Sequence, residues 1–371
     1  MISKNSLFKL VGSLLLVLFF FFVFYHIAFQ CESDLPGHAK MAIWGLRDGL
    51  LYFLMNLCSG FSHNENKALI ACCFLLALSK VLQFWIVFYY MKKQFGSTLS
   101  FVVSFSLLFV SVVSFNLFLG HFHFYFGYFV PNVWHNSTII FSMPFCVLIY
   151  IYTLQVFEKI QWDKIILLGL FVIISVLIKP SFFFVYSLSY SLVIIYRFWS
   201  DIGKMIKMSI PILIGLCGVI YQYLTIYDGS DGTSVIIDFT QLYSYEYWSI
   251  YGVYAFFSLL LPFSFVLLNH RRIRLNSEFC LVWFMLFFSI IIKLVFKETG
   301  YRAGHGNFSW QVIPAMWIMY LYIIKTELIF ITSDKTIINS KCHLTLLGLY
   351  ALSFAFGLLY LSYYLYSGIF D

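Results

Sequence analysis

The chain has 371 residues, 62% of them hydrophobic and only 11% charged, with a formal net charge of +7. A soluble domain averages about 25% charged residues, so the composition excludes a large water-exposed fold. The basic excess does not indicate nucleic acid, because Lys and Arg fall in short segments between apolar runs, where they orient a membrane protein.

Apolar runs of roughly 20 residues, each long enough to cross a bilayer as a helix, recur from end to end. The first covers 7–29. Lys4 and Lys9 lead into a stretch longer than the roughly 7–15 residues of a secretory signal, and Ile27-Ala28-Phe29-Gln30 is a poor cleavage site, so it reads as an uncleaved span. Residues 38–58 are apolar but carry Lys40, Arg47 and Asp48, which suits a helix lying in the membrane interface. Further spans are predicted at 68–91, 98–119, 139–157, 165–178, 182–197, 208–226, 249–268, 278–296, 310–330 and 344–366. The expected fold is all-α, a single transmembrane domain of about eleven helices over 1–371, with an in-plane helix after the first span. No internal repeat stands out. The eight cysteines form no CxxC pair and no disulfide framework. A Cys31–Cys58 bridge is the weaker expectation and free thiols the stronger.

With the N-terminus inside, fifteen of the twenty-three basic residues fall in inner segments and seven in outer ones, while Lys80 lies within a span. That bias places the N-terminus in and the C-terminus out. Every unusual polar cluster then falls outside, in the first loop 32–67 and at 120–138, 179–181, 227–248 and 297–309. Polar loops from distant parts of a chain, brought to one face of a rigid scaffold, are the usual makings of an active site.

Glu32, Asp34 and His38 follow the first span directly. Asp34 before Pro36-Gly37 suits a helix start, and that structural role competes with a chemical one. As chemistry, a carboxylate half-withdrawn from water is a general base, with His38 near enough to tune it. The segment 121–138 carries His121, His123 and His135 among aromatics, with Asn132, Trp134 and Asn136. Aromatic faces beside His and Asn suit a sugar or a lipid headgroup, and an interfacial aromatic belt is the plain alternative. Asn136-Ser137-Thr138 matches a glycosylation sequon but lies too near the next span to serve as one. Lys179, before Pro180, either snorkels to the interface or contacts phosphate. Lys297, Glu298, Arg302 and His305 accompany three glycines. Glycines let backbone approach a ligand, and Arg302 offers a planar fork for a phosphate. Asp228, Asp231, Asp238 and Glu246 read as solvated loop charges. No cofactor is called for, although a divalent metal remains compatible with these acids.

This layout resembles the C-type fold glycosyltransferases (GT-C), polytopic enzymes that take sugars from polyprenyl phosphate carriers. In that superfamily a carboxylate just after span 1 acts in catalysis, an in-plane helix follows, and later outer loops bind the lipid phosphate. Here Glu32 and Asp34 occupy the first-loop position and 38–58 the helix, although Glu-Ser-Asp replaces the usual adjacent acidic pair and no large soluble outer domain is present. The clusters Pro131–Thr138 and Lys297–Asn307 resemble those of bacterial polysaccharide-locus membrane proteins. The resemblance implies an inverting transfer at the outer face of a bacterial inner membrane, in cell-surface polysaccharide assembly. Asp34 or Glu32 would be the base, with His38 beside it. Arg302, Lys297, His305 and Lys179 would meet the departing phosphate, and 121–138 would position a polyprenyl-phosphate-linked donor and a glycan or lipid-linked acceptor. The alternatives are a polymerase or ligase acting on lipid-linked repeat units, a flippase or transporter, which would need charges near the bilayer midplane, and a non-catalytic scaffold.

Overall fold

The computed structural model describes residues 4–45, 49–119, 124, 125, 127–226, 234–273, 276–300, 306–333 and 341–370. The described chain is mostly helical, and its strands form one two-stranded antiparallel sheet, in which β1 (Val235–Ile237) pairs with β2 (Phe296–Glu298). Eight helices are long and apolar enough to cross a membrane. They are α1 (Lys4–Gln30), α4 (Glu65–Phe95), α6 (Ser137–Glu158), α8 (Ser181–Phe198), α9 (Ile202–Ile226), α13 (Ser277–Val295), α14 (Val312–Ser333) and α15 (Lys341–Ser367). Their outward surfaces are apolar. Leu14, Phe22, Ile202 and Leu224 are each more than half exposed. So much exposed apolar area is untenable in water and ordinary in lipid. The chain is therefore an α-helical integral membrane protein.

Burial grades the helices from centre to rim. Along α14, 89% of the spanning window is buried, along α6 72% and along α4 67%, against 22% for α1 and α9. On α1, Phe20, Phe24 and Ile27 form the inward stripe at helical spacing. Polar N-caps fix several helix starts. Asn64, Asn136 and Asn276 each accept a hydrogen bond from the backbone N–H three residues on.

The expected span 98–119 departs from a continuous helix. Helix α5 (Ser97–Leu107) stops after 11 residues, and the chain continues to 114 without helix before a short 3-10 turn at Phe115–Leu119. Two features permit this. The carbonyls freed at the break find partners: Leu107 O accepts from Asn132 Nδ2 (3.2 Å) and Trp317 Nε1 (2.8 Å), and Val110 O from Asn132 Nδ2 (2.9 Å). The non-helical stretch also lies hard against α15 at Gly357, where a Cβ would sit 1.6 Å from Phe109 O. Ser111 N–H donates to Ser353 O across the same contact (3.0 Å). Buried irregular backbone is tolerated at membrane depth only when satisfied in this way.

The expected span 249–268 is also broken, into α11 (Tyr245–Ser258) and α12 (Leu260–Asn269), which meet at 49°. Pro262 lacks an N–H and its ring crowds the carbonyl four residues back, at Ser258, which places the bend at Leu259. Helix α7 (Trp162–Ile178), with 17 residues, falls at the lower limit of spanning length. The eleven expected spans thus become eight long helices, one bent pair and two shorter helices among the described residues. The expected helix over 38–58 is two nine-residue helices, α2 (Leu35–Ile43) and α3 (Leu50–Cys58). Cys31 and Cys58 are unbridged.

Candidate active site

Asn136, Ser137 and Thr138 open α6, and each reaches a different part of the chain. Asn136 Oδ1 caps the helix by accepting from Ile139 N–H (3.1 Å), while its Nδ2 donates to Asp34 Oδ2 (2.7 Å). Ser137 Oγ hydrogen-bonds His38 Nδ1. Thr138 Oγ1 donates to Asn136 Oδ1 (2.9 Å) and accepts from Lys179 Nζ (3.3 Å). One turn of helix thereby ties together the carboxylate after α1, the imidazole of α2 and the lysine after α7. The chain Lys179–Thr138–Asn136–Asp34 is donor to acceptor throughout, so its dipoles reinforce one another.

These groups line a cavity of about 590 Å³. Its wall combines Asp34 and His38, Tyr125, Tyr128, His135, Asn136 and Thr138, Lys179, Lys293 near the end of α13, Asn307 and Trp310 before α14, and Phe370 after α15. The cavity therefore lies where the C-terminal ends of α1, α7, α13 and α15 meet the N-terminal ends of α6 and α14. Aromatic rings form much of the wall. Tyr125 stacks on Trp310 (6.3 Å, 21°), and Phe370 stacks on His135 (4.2 Å, 22°).

Asp34 stands at the N-cap position of α2 in a helical conformation, yet its side chain makes no capping hydrogen bond. The carboxylate is turned to Asn136 instead, and the Asp34 backbone N–H donates to His135 O (3.0 Å). The structure thus separates the two competing roles of Asp34. Glu32 is exposed and away from the cavity wall. Its backbone anchors the chain through Gly368 O (2.7 Å) and Tyr364 Oη (2.6 Å).

His135 is buried, and its Nδ1 has no hydrogen-bond partner among the described residues. Burial, and secondarily the charge of Lys179, lower its pKa from the ordinary 6.5 to about 3. It is therefore a neutral imidazole in the cavity wall. Lys179 Nζ lies 4.8 Å from the Trp310 ring centre and Lys293 Nζ 5.0 Å from that of Phe129. Lys293 makes no hydrogen bond or ion pair among the described residues, and the site expected from sequence did not include it. A lysine inside an apolar helix, one turn from the end that is poor in basic residues, was the available signal.

Other expected residues lie elsewhere. Asn132 donates to Leu107 O at the end of α5 and to Val110 O beyond it, and accepts from Lys80 Nζ (3.3 Å). Trp134 is fully buried against Phe20, Phe24 and Phe109, with Lys80 Nζ 4.7 Å from its ring centre. Both anchor the loop from behind. Lys297 pairs with Asp238 (2.6 Å), which pulls the Asp238 pKa down to about 2. Glu298 is buried and accepts from Asn307 Nδ2 (2.6 Å), positioning a wall residue. His121, His123, Arg302 and His305, like Arg47, Asp48, Asp228 and Asp231, lie outside the described residues. No three His, Cys, Asp or Glu side chains converge as a metal set among the described residues.

The arrangement offers one oriented carboxylate, the two imidazoles of His38 and His135, the second neutral, and two ammonium groups in a partly aromatic cavity at the ends of membrane helices. It can take a proton from a hydroxyl and hold an anion nearby. Compared with known proteins, the chain matches no family model and no curated protein.

Proposed function

We propose that the chain is a membrane glycosyltransferase of the C type, moving a sugar from a polyprenyl phosphate carrier to an acceptor hydroxyl at the outer face of a bacterial inner membrane. The observation that carries the reading is the wall that joins Asp34 to Lys179 through Asn136 and Thr138, with Lys293 beside them. Asp34 accepts the acceptor's hydroxyl proton. The acceptor oxygen then bonds to the anomeric carbon as the bond from that carbon to the phosphate oxygen breaks, and the electron pair leaves on the phosphate. Lys179 and Lys293 balance the charge that accumulates there. A positioned base is worth about 10²–10⁴ in rate, and a placed electrostatic donor about 10²–10³. The aromatic wall that holds Tyr125, Trp310 and Phe370 suits a sugar.

Topology supports the same reading. Helix α7 is about 26 Å long at 1.5 Å per residue. Helix α5 is about 17 Å long, and the non-helical stretch after it carries the chain on to Ser114. Counted as crossings with the eight long helices and the bent pair, they make eleven, with the cavity at the end poor in basic residues.

Purified protein titrated with undecaprenyl phosphate tests the anion site. Wild-type protein is expected to bind it, and Lys179→Ala with Lys293→Ala to weaken binding by about tenfold or more. Equal binding by both would remove the phosphate from this cavity.

A further inference from the structure

The opposite end of the helices holds a second polar site, separate from the cavity of Asp34. Two cavities of about 580 and 600 Å³ adjoin there and share Asn276, Glu278 and Lys325. At their centre Lys325 Nζ donates to Glu278 and to Tyr90 Oη (3.1 Å), and Tyr150 Oη donates to Glu278. Lys325 is nearly buried, with its side chain 9% exposed. This pair neutralises itself.

The remaining cations do not. Lys93, at the end of α4, and Lys164, at the start of α7, line the first cavity and have no hydrogen-bond or ion-pair partner among the described residues. Arg197 lines it too, held by Phe157 O (2.5 Å) and Ser277 Oγ (3.1 Å). Those two bonds leave other guanidinium N–H groups unused. Glu158 is the other acid in its wall, so positive charge is in excess. Arg271 and Arg272 extend that excess along the second cavity.

The rest of the lining is mixed: Met91, Ile151 and Leu154 stand beside Gln94 and Gln155 in the first cavity, and Ile329 and Phe330 beside Thr326 and Ser333 in the second. A soluble anion uses only the polar part of such walls and leaves the apolar part uncovered. A phosphate carried on acyl chains uses both, and a basic cleft between helix ends at a membrane surface is where such headgroups dock. We propose that this double cavity binds the phosphate of an anionic phospholipid, with Lys93, Lys164 and Arg271, unpaired among the described residues, as its cations and Arg197 as a prefixed one. The proposal stands independently of the glycosyltransferase reading, because it uses none of the same residues.

The experiment is native mass spectrometry of the delipidated full chain, titrated with phosphatidylglycerol and, separately, with phosphatidylcholine. Wild-type protein is expected to retain phosphatidylglycerol selectively. Lys93→Ala with Lys164→Ala, which removes no hydrogen bond or ion pair among the described residues, is expected to weaken that retention by about tenfold or more, with an unchanged thermal midpoint as the check on folding. Three results would overturn the proposal: equal retention by the double variant, equal retention of phosphatidylcholine, or complete displacement of the lipid by millimolar inorganic phosphate, which would make this a free-phosphate site.

Discussion

Asn136 caps a helix and aims a carboxylate with the same amide. The two roles are separable. Asn136→Ser keeps a capping oxygen but loses the amide donor to Asp34, whereas Asn136→Ala loses both. The alanine variant is expected to cost about 1 kcal/mol of stability, read as a lower thermal midpoint in detergent, and the serine variant to recover most of it. Both are expected to lose about tenfold or more in transfer rate, because the Asn136 amide no longer aims the Asp34 carboxylate. Recovery of activity by serine would reduce Asn136 to a cap. The sequence showed Asn136 as a sugar- or headgroup-binding candidate and 136–138 as a sequon, but not as a link, since its partners lie about a hundred residues earlier at Asp34 and His38 and about forty later at Lys179. His135 gives a pH signature. With a pKa of about 3 in the fold against 6.5 when unfolded, it binds its proton in the unfolded chain first. Its contribution to stability is whole above pH 6.5 and falls as the pH drops toward 3. At pH 5 the loss is about 2 kcal/mol. Thermal unfolding between pH 7 and pH 5 is expected to shift less in His135→Gln than in the wild type.

The broken elements position the site, and they were the least legible. Composition predicted a span over 98–119 because the stretch is apolar, and apolarity does not say whether carbonyls are satisfied along one helix or across several. The break at Leu107 depends on Asn132, Trp317 and Gly357, none of them near it in sequence. The Ser-rich run 97–114 was the local hint, since serine hydroxyls compete for helix carbonyls. Gly357→Ala would push a methyl into the backbone of Phe109. It is expected to destabilise by about 1–3 kcal/mol or more, whereas Gly348→Ala, which meets nothing within 4 Å, is expected to leave the thermal midpoint unchanged. A similar midpoint for the two variants would mean that the non-helical stretch and α15 are not in contact. The bend at Leu259 was easier to foresee, because Pro262 is a local cause.

At the scale of the molecule, the sequence conveyed that the chain is membrane-embedded and which segments are polar. Both follow from composition and local pattern. It could not convey which polar segments share a cavity. Asp34, His38, His135, Asn136 and Lys179 do, whereas Glu32, Asn132, Trp134, Lys297 and Glu298 serve to anchor or pair. The two ends of the helix bundle are distinguishable by labelling. A membrane-impermeant maleimide is expected to reach the exposed Cys58 in intact cells. It should reach Lys93→Cys, in a Cys58→Ser background, only after permeabilisation. Labelling of both in intact cells would contradict the orientation. The most direct measurement is glycan composition in the native cell carrying Asp34→Asn at the normal expression level. The account predicts a surface polysaccharide that lacks one sugar residue, with the corresponding polyprenyl phosphate sugar accumulating. An unchanged polysaccharide from a variant present at wild-type abundance would contradict it.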